Sequence, residues 1–275
     1  MTVCIEIVVL NDQRIFKCLE SLRNQEMVPD RILIADGGST SEFLNGIKKE
    51  FSDLPIDIKD LPGLPVETRY KSLRYLSEDI TVFLDSDQYA PKEWLKLIIS
   101  PFSSYNQNLA YTGGPTKPYK KPTSKIEEYL ALLEEHIYGD DISKSLTYIP
   151  LGNTAWRTEV LLNLKFDKRL KFEAEDNDLE TRAYNSGYHG KFVKEAWVWH
   201  DKTIDKSVYR AMKKRYRYLV GAATVFLKNG TIGQRSKERR KMIRHAYAVL
   251  ELLLKPIAFL HAFVRWNIHI KKIEE

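Results

Sequence analysis

The first third of the chain alternates short apolar runs with segments of helical period. VCIEIVVL (3–10) is apolar and β-branched and predicts a strand, and a helical pattern runs from about Gln13 to Gln25. RILIAD (31–36) reads as a second strand, after which Ser41 can cap a helix reaching about Phe51. IDIKD (56–60) is a short third strand, and Pro65 opens a helix through about Leu76. ITVFLD (80–85) is a further strand, followed by a helix opened by Pro91, which suits the first helical turn.

Strands separated by helices of this length imply βαβ units, and so an α/β fold with a mostly parallel central sheet flanked by helices. In such sheets ligands bind beyond the carboxyl ends of the strands. Three strands here end in polar residues, at Asn11-Asp12, Asp36-Gly37-Gly38 and Asp85-Ser86-Asp87, and all three are expected to face one crevice. From about 109 to 200 the pattern is less regular. LAYTGGP predicts a strand and turn, 124–138 a helix, EDNDLETRAYNSG a helix ended by Gly187, and YHGKFVKEAWVWH one strand. Beyond about Ser207 the chain reads as wholly helical. The expected division is an α/β unit over 1–205. A helical extension covers 206–275.

Charge sharpens that division. Residues 206–275 hold 17 Lys/Arg against 4 Asp/Glu, a balance of +13, whereas 1–205 hold 26 against 33, a balance of −7. An acidic body with a basic extension points to a polyanionic surface as partner. Composition is that of a globular chain, 43% hydrophobic and 29% charged, with no low-complexity tract. The apolar start is broken by Glu6 and reads as a strand rather than a signal peptide. Cys4 and Cys18 have no metal-type spacing and read as reduced thiols of a cytosolic protein.

The candidate chemistry begins in FLDSDQYAP, where Asp85 and Asp87 stand two apart at a strand end. Two hard oxygen ligands so placed suit Mg²⁺ or Mn²⁺ when phosphate oxygens complete the shell. A solvated turn, with Asp87 capping the next helix, is the competing reading. An EF-hand fails because its sixth and twelfth positions would be Ala90 and Lys96. Neither GxGxxG nor GxxxxGK[ST] occurs. A second acidic cluster, Glu173, Glu175, Asp176, Asp178 and Glu180, opens the predicted helix at 176–186. Its number of carboxylates exceeds what capping requires, and Phe172, Leu179 and Tyr184 are expected to be buried beside it. A carboxylate at the edge of a core can serve as a general base. His200 ends the aromatic segment EAWVWH and is a candidate to complete a metal site.

These pieces, in this order, resemble the family 2 glycosyltransferases of the GT-A fold, a Rossmann-like architecture. The resemblance runs over roughly 3–220. It is carried by LIADGGSTSE, the ETRYKS helix start, the DxD of FLDSDQYAP, LGNTAWRTEVL, FEAEDNDLETRAYNSGYHG and the strand end VWH. It departs at VVLNDQR, where the family has a Pro-Thr/Ala-Tyr-Asn-type segment, and at Tyr70, where Asn is common. The resemblance implies a metal-dependent inverting transferase of hexosyl or N-acetylhexosaminyl type, with a catalytic unit over 1–205 whose nucleotide binding falls in about 1–115 and whose acceptor side falls in about 116–205. It would move a sugar from a nucleotide diphosphate, a UDP-sugar first and a GDP-sugar second, to an acceptor hydroxyl. Asp36 would contact the base, with Asn11 nearby, and Arg69 the base or diphosphate. Asp85 would touch the ribose or the water shell of the metal, and Asp87 would bind the Mn²⁺ or Mg²⁺ with His200 as a further contact. Asp176 would be the base. Glu175, Arg215 and Arg217 would lie on the acceptor or diphosphate side. A sugar-phosphate nucleotidyltransferase should carry a Gly-rich basic loop where VVLNDQR stands. A non-catalytic glycan- or lipid-binding relative should have lost one of Asp85, Asp87 and Asp176.

The extension has its own pattern. In KKRYRYLVGAATVF, basic residues alternate with Tyr216 and Tyr218, consistent with a solvated helix face or a wall near the diphosphate. Nucleic acid can use such interleaving, but it would leave the acidic crevice without a purpose, so none is expected. From about His245 to Ile270, Glu251, Lys255, Arg265, His269 and Lys272 form one narrow stripe between broad apolar flanks, with Pro256 expected to kink or divide the helix. Such a helix fits the membrane interface on the cytoplasmic face, with a lipid-linked or surface glycan as acceptor. Packing on the domain, or a homodimer, is the alternative.

Overall fold

A computed structural model describes residues 1–103, 107–138, 149–170, 174–202, 207–230 and 246–270, with the side chains of 134–138, 246, 269 and 270 left aside. Its centre is a seven-stranded sheet ordered β3-β2-β1-β4-β8-β6-β9. The strands β1 (Val3–Val9), β2 (Arg31–Asp36), β3 (Ile56–Asp60) and β4 (Ile80–Leu84) run parallel, as expected. β1 lies between β2 and β4, and its side chains are buried on both faces, which is why its sequence reads as an apolar run broken only at Glu6. Helices α1 (Arg14–Arg23), α2 (Ser41–Glu50) and α3 (Pro65–Ser72) make the crossovers. The cap of α2 is Thr40 rather than Ser41: its hydroxyl accepts from the Phe43 amide. Pro91 lies in the turn before α4 (Trp94–Ile99), where its carbonyl accepts from the Trp94 amide.

The sheet then turns mixed. β8 (Asn153–Arg157) is antiparallel to both β4 and β6 (Leu109–Gly113), and β9 (His189–Phe192) completes the edge. The expected single strand over 188–200 is instead two. β9 joins the main sheet, whereas β10 (Val198–His200) pairs with β5 (Gln88–Tyr89) and β7 (Thr116–Pro118) in a small second sheet. Both pieces are strand-like in composition, and Lys194-Glu195 between them are exposed, so apolar periodicity could not reveal the change of sheet.

Strand alternation sorts the core. Val3, Ile5, Ile7 and Val9 face the layer containing α1 and α2, while Cys4 faces the other layer with Leu33, Phe83 and Trp156. Glu6 shares the second face and meets α3 there. On that side lie α6 (Thr158–Leu164) and α7 (Glu175–Asn185), with Gly187 at φ +85° following α7. Leu179 is buried as expected, but Tyr184 is 55% exposed, and Phe172 and Glu173 fall outside the described residues.

The extension is helical where described. α8 (Val208–Asn229) is capped by Ser207, and α9 (Ala246–Arg265) runs on through Pro256 without division. Both pack with α5 (Lys125–Tyr138): Ile126 and Tyr129 meet Ala211, Met212 and Ala248.

Candidate active site

A cleft of about 290 Å³ opens at the carboxyl end of β4. Its wall includes Arg69, Asp85, Asp87, Glu175, Asp176 and His200, six of the residues singled out in the sequence. They come from α3, the β4–β5 turn, the start of α7 and the end of β10, so the fold gathers segments more than a hundred residues apart.

Asp85 is held from two directions. Its carboxylate accepts from the Arg69 guanidinium at 2.7 Å. Behind it stands Gly152, where a Cβ would come within 2.2 Å of Asp85 Oδ2. The β4–β8 ladder pairs Leu84 with Asn153 and forces that close approach. Asn153 itself is fully buried, accepting from Trp94 Nε1 at 2.8 Å and donating to the carbonyls of Pro115 and Ala196. The small residue and Asn of LGNTAWR thus have separate structural tasks: one admits the carboxylate, the other ties both sheets together.

Asp87 lies between two cationic or potentially cationic groups. Its Oδ2 is 3.1 Å from Arg14 Nη1, and its Oδ1 is 3.4 Å from His200 Nε2. Arg14 also grips Asp12 through two nitrogens and donates to the Asp201 carbonyl at 2.7 Å. Arg14 was not among the residues expected to matter. Its signal, Asp12 two positions earlier at a strand end, is too common to single out.

Arg69 is the hub of the cleft. Beyond Asp85, its Nη1 is 3.7 Å from Glu175 Oε1, and its Nε is 3.9 Å from Glu6 Oε2. Glu6 is completely buried in β1 and accepts from Ser72 Oγ at 2.9 Å through its other oxygen. Glu6 Oε2 and Arg69 Nε are the two buried side-chain polar atoms without a hydrogen-bond partner among the described residues. Burial pushes the Glu6 carboxyl up to about 7, with Arg69 opposing. Burial and then repulsion from Asp176 raise Glu175 as well. Glu180, one turn further, is raised by burial and by Asp176; its oxygens accept from the Ile149 amide.

Asp176 stands in the first turn of α7, where the helix dipole favours an anion. The residue before that helix, Ala174, has φ +83°, a left-handed conformation unusual for a side-chain-bearing residue. Asp178 faces away from the cleft into a structural network with Arg182, Lys228 and Asn229.

Four expected site residues do not line the cleft. Asp36 is 1% exposed, and its carboxylate accepts from the amides of Gly38 and Ser39. Asn11, at φ +49°, accepts from the Thr40 amide and donates its own amide to Ser39 Oγ, so it ties the loop after β1 to the turn that Asp36 closes after β2. Arg215 is buried against Glu251 at 2.8 Å, and Arg217 is exposed on another face of α8. In their place α8 presents Lys214 and Tyr218, which with Lys202, Gln88 and Thr116 complete the wall. The alternation in KKRYRY could have suggested Lys214 and Tyr218 only once the buried face of α8 was known.

No cluster of three His, Cys, Asp or Glu that could enclose a metal occurs among the described residues. What is present suits a cation that arrives with phosphate. Asp87 and His200 converge from the β4–β5 turn and the end of β10, and Mg²⁺-type sites typically take few protein ligands and fill the rest from substrate and water.

An α/β sheet with parallel strands feeding acidic loops, an antiparallel β8 and a carboxylate-bearing α7 across the cleft define the GT-A fold. Residues 4–161 match the family described as Glycosyl transferase family 2, and the chain belongs to that family. No curated protein sequence matches it. Among solved structures, it is similar to the mannosyltransferase PcManGT from Pyrobaculum calidifontis in complex with GDP-Man and Mn²⁺. That likeness has a TM-score of 0.66 at 16% identity over 97% of this chain and 75% of the other. It is also similar to S. aureus TarS 1–349 in complex with UDP-GlcNAc, with a TM-score of 0.57 at 15% identity over 98% and 76%. A longer S. aureus TarS structure gives 0.58 at 17% identity, covering 99% of this chain but 45% of that one. At these identities the likeness is one of fold.

Proposed function

We propose that this protein is a divalent-metal-dependent inverting glycosyltransferase that moves a sugar from a nucleotide diphosphate to an acceptor hydroxyl. The observation that carries the reading is Arg69 spanning the cleft. Its guanidinium joins Asp85, on the side expected to hold the donor, to Glu175, beside the expected base. The solved structures of the same fold carry GDP-Man with Mn²⁺ in one case and UDP-GlcNAc in another. Both UDP- and GDP-sugars are therefore candidate donors, and the transferred sugar is a hexose or an N-acetylhexosamine.

In this reading Asp87 and His200 would hold Mn²⁺ or Mg²⁺, and Asp85 would stand on the donor side beside them. When bound, the cation offsets the charge that develops on the departing diphosphate. Lys202 and Lys214, on the cleft wall, add positive charge on the same side. Asp36, by closing its turn, and Asn11, by tying that turn to the loop after β1, shape the wall on which the nucleotide base is held. Asp176 takes the proton of the acceptor hydroxyl as that oxygen attacks the anomeric carbon. One base opposite the leaving group gives a single displacement, with inversion, through an oxocarbenium-like state. The free thiols of Cys4 and Cys18, both buried, suit a reducing cytoplasm.

The test is calorimetric titration of UDP- and GDP-sugars with Mn²⁺, Mg²⁺ or chelator, on the wild type and two variants. Binding that needs the cation and is weakened in Asp87→Asn supports the metal role; equal affinity with chelator sinks it. Asp176→Asn should keep donor binding while kcat falls by about 10²–10⁴-fold, the usual range for losing a general base. Full activity in that variant would refute the assignment.

A further inference from the structure

Helix α9 is seated with its amphipathic pattern reversed. The stripe turned toward the protein is small or polar: Ala248, Glu251, Ala258 and Ala262 are buried, and the last two rest on Val220 and Ala223 of α8. Glu251 is the only carboxylate of α9, and it is satisfied inside, by Arg215 at 2.8 Å and Tyr129 Oη at 2.8 Å. The outward surface is made of large apolar side chains. Leu253 is 66% exposed, Leu260 63%, Ile257 57%, and Val249, Phe263 and Ile268 each 49%. Soluble monomers seldom expose a continuous surface of this kind.

Its chemistry selects the occupant. The outward face carries no acid, because Glu251 is withdrawn. In sequence, α9 is preceded by Arg235, Lys237, Arg239, Arg240, Lys241 and Arg244 with Glu238 alone against them, and it is followed by Lys271 and Lys272, then Glu274 and Glu275. An apolar helix surface led by a basic segment complements a sheet of anionic headgroups over acyl chains. We propose that α9 docks the protein on an anionic lipid bilayer, lying in the plane of the interface with its outward side chains among the acyl chains. Tyr247–Ile268 is long and apolar enough to cross a membrane by length and composition. Its underside, however, is committed to α8 at Glu251, Ala258 and Ala262, which fixes it along the body. α8 also supplies Lys214 and Tyr218 to the cleft. On the glycosyltransferase reading, that shared helix assigns the acceptor to a lipid-carried class; the docking itself does not depend on that reading.

The test is flotation of the full chain with phosphatidylcholine vesicles, with and without phosphatidylglycerol. Binding should require phosphatidylglycerol and weaken with salt. L253E/L260E should reduce it by about tenfold or more, with melting temperature and donor binding unchanged. L253Q/L260Q, which adds no charge, serves if the acidic pair does not fold. Absence of binding to the mixed vesicles by the full chain overturns the proposal. So does a stable dimer that the same substitutions dissociate, since a second copy then covers α9. Donor binding is read on the same samples, so loss of the enzyme reading remains separate from loss of the docking.

Discussion

Two buried arginines, Arg69 and Arg215, are each surrounded by carboxylate in this molecule, and they are treated differently. Arg215 grips Glu251 through two nitrogens, and Tyr129 supplies a further donor to the same carboxylate. Burial pushes the Glu251 carboxyl up, but the Arg215 pair more than offsets this and holds it below the usual value. Arg69 meets three carboxylates, only Asp85 at hydrogen-bond distance, and leaves its Nε and Glu6 Oε2 without partners. A satisfied pair fixes two helices. An unsatisfied hub keeps capacity for something else, at a cost in stability, and it stands on the cleft wall. That contrast separates structural from functional charge here better than burial does, since both arginines are below 10% exposed.

The sharpest way to break the comparison is to remove each centre. Arg69→Met breaks the hydrogen-bonded pair with Asp85 and removes the positive charge between Glu6 and Glu175, and should cost about 3–5 kcal/mol in urea unfolding, with loss of transfer. Replacing the other pair together, Arg215→Met with Glu251→Leu, should change stability by only about 1 kcal/mol, or raise it. Equal losses from the two changes would erase the distinction.

A second prediction concerns pH. The folded-state pKa of Glu6 is raised to about 7 from an ordinary 4.5, so the native state holds a proton that the unfolded chain has released. Its contribution is full below about 4.5 and lost as pH rises through about 7; Glu175 and Glu180 act in the same direction. Unfolding free energy should therefore fall between pH 5 and 8, by on the order of 3 kcal/mol from Glu6. Glu6→Gln should flatten that slope, and an unchanged slope would remove Glu6 as its source.

A smaller effect is expected at Gly152→Ala. The added Cβ displaces Asp85 from Arg69 while leaving every charge in place, and donor affinity should fall by about 10- to 100-fold with little change in melting temperature. Smallest of all, Ala174→Gly relieves a left-handed backbone position beside Glu175 and should alter stability by about 1 kcal/mol or less. If transfer then drops although stability does not, the strained entry into α7 helps to orient Asp176.

The parallel half of the fold was legible because β1 to β4 each carry an apolar run and each crossover helix a clear period. The acidic cleft followed, since Asp85, Asp87, Asp176 and His200 are motif residues at element ends. What escaped detection depends on pairing rather than periodicity. Two-residue β5 has no pattern to detect, β8 looks like the approach to a helix, and residues 188–200 split between sheets. Asp36 looked ligand-facing because its position in DGGST is the same whether its carboxylate points outward or into its own turn. Arg215 and Lys214 are adjacent and both basic, and only the packing of α8 decides which reaches the cleft. The charged stripe of α9 was visible, but which side it would face was not.

Arg14 has a consequence for how the molecule is made. It joins the loop after the first strand to the carbonyl of Asp201, 187 residues later, and holds Asp87 in between. During synthesis the parallel strands emerge first and can pair while the chain is still growing. Arg14 can meet Asp12 and Asp87 once β4 has emerged, but its bond to Asp201, and the placing of His200 beside Asp87, must wait until the segment through β10 has left the ribosome. An incomplete chain can therefore possess a sheet and still lack the acidic site. Vectorial synthesis delays assembly of the cleft until nearly the whole catalytic body exists.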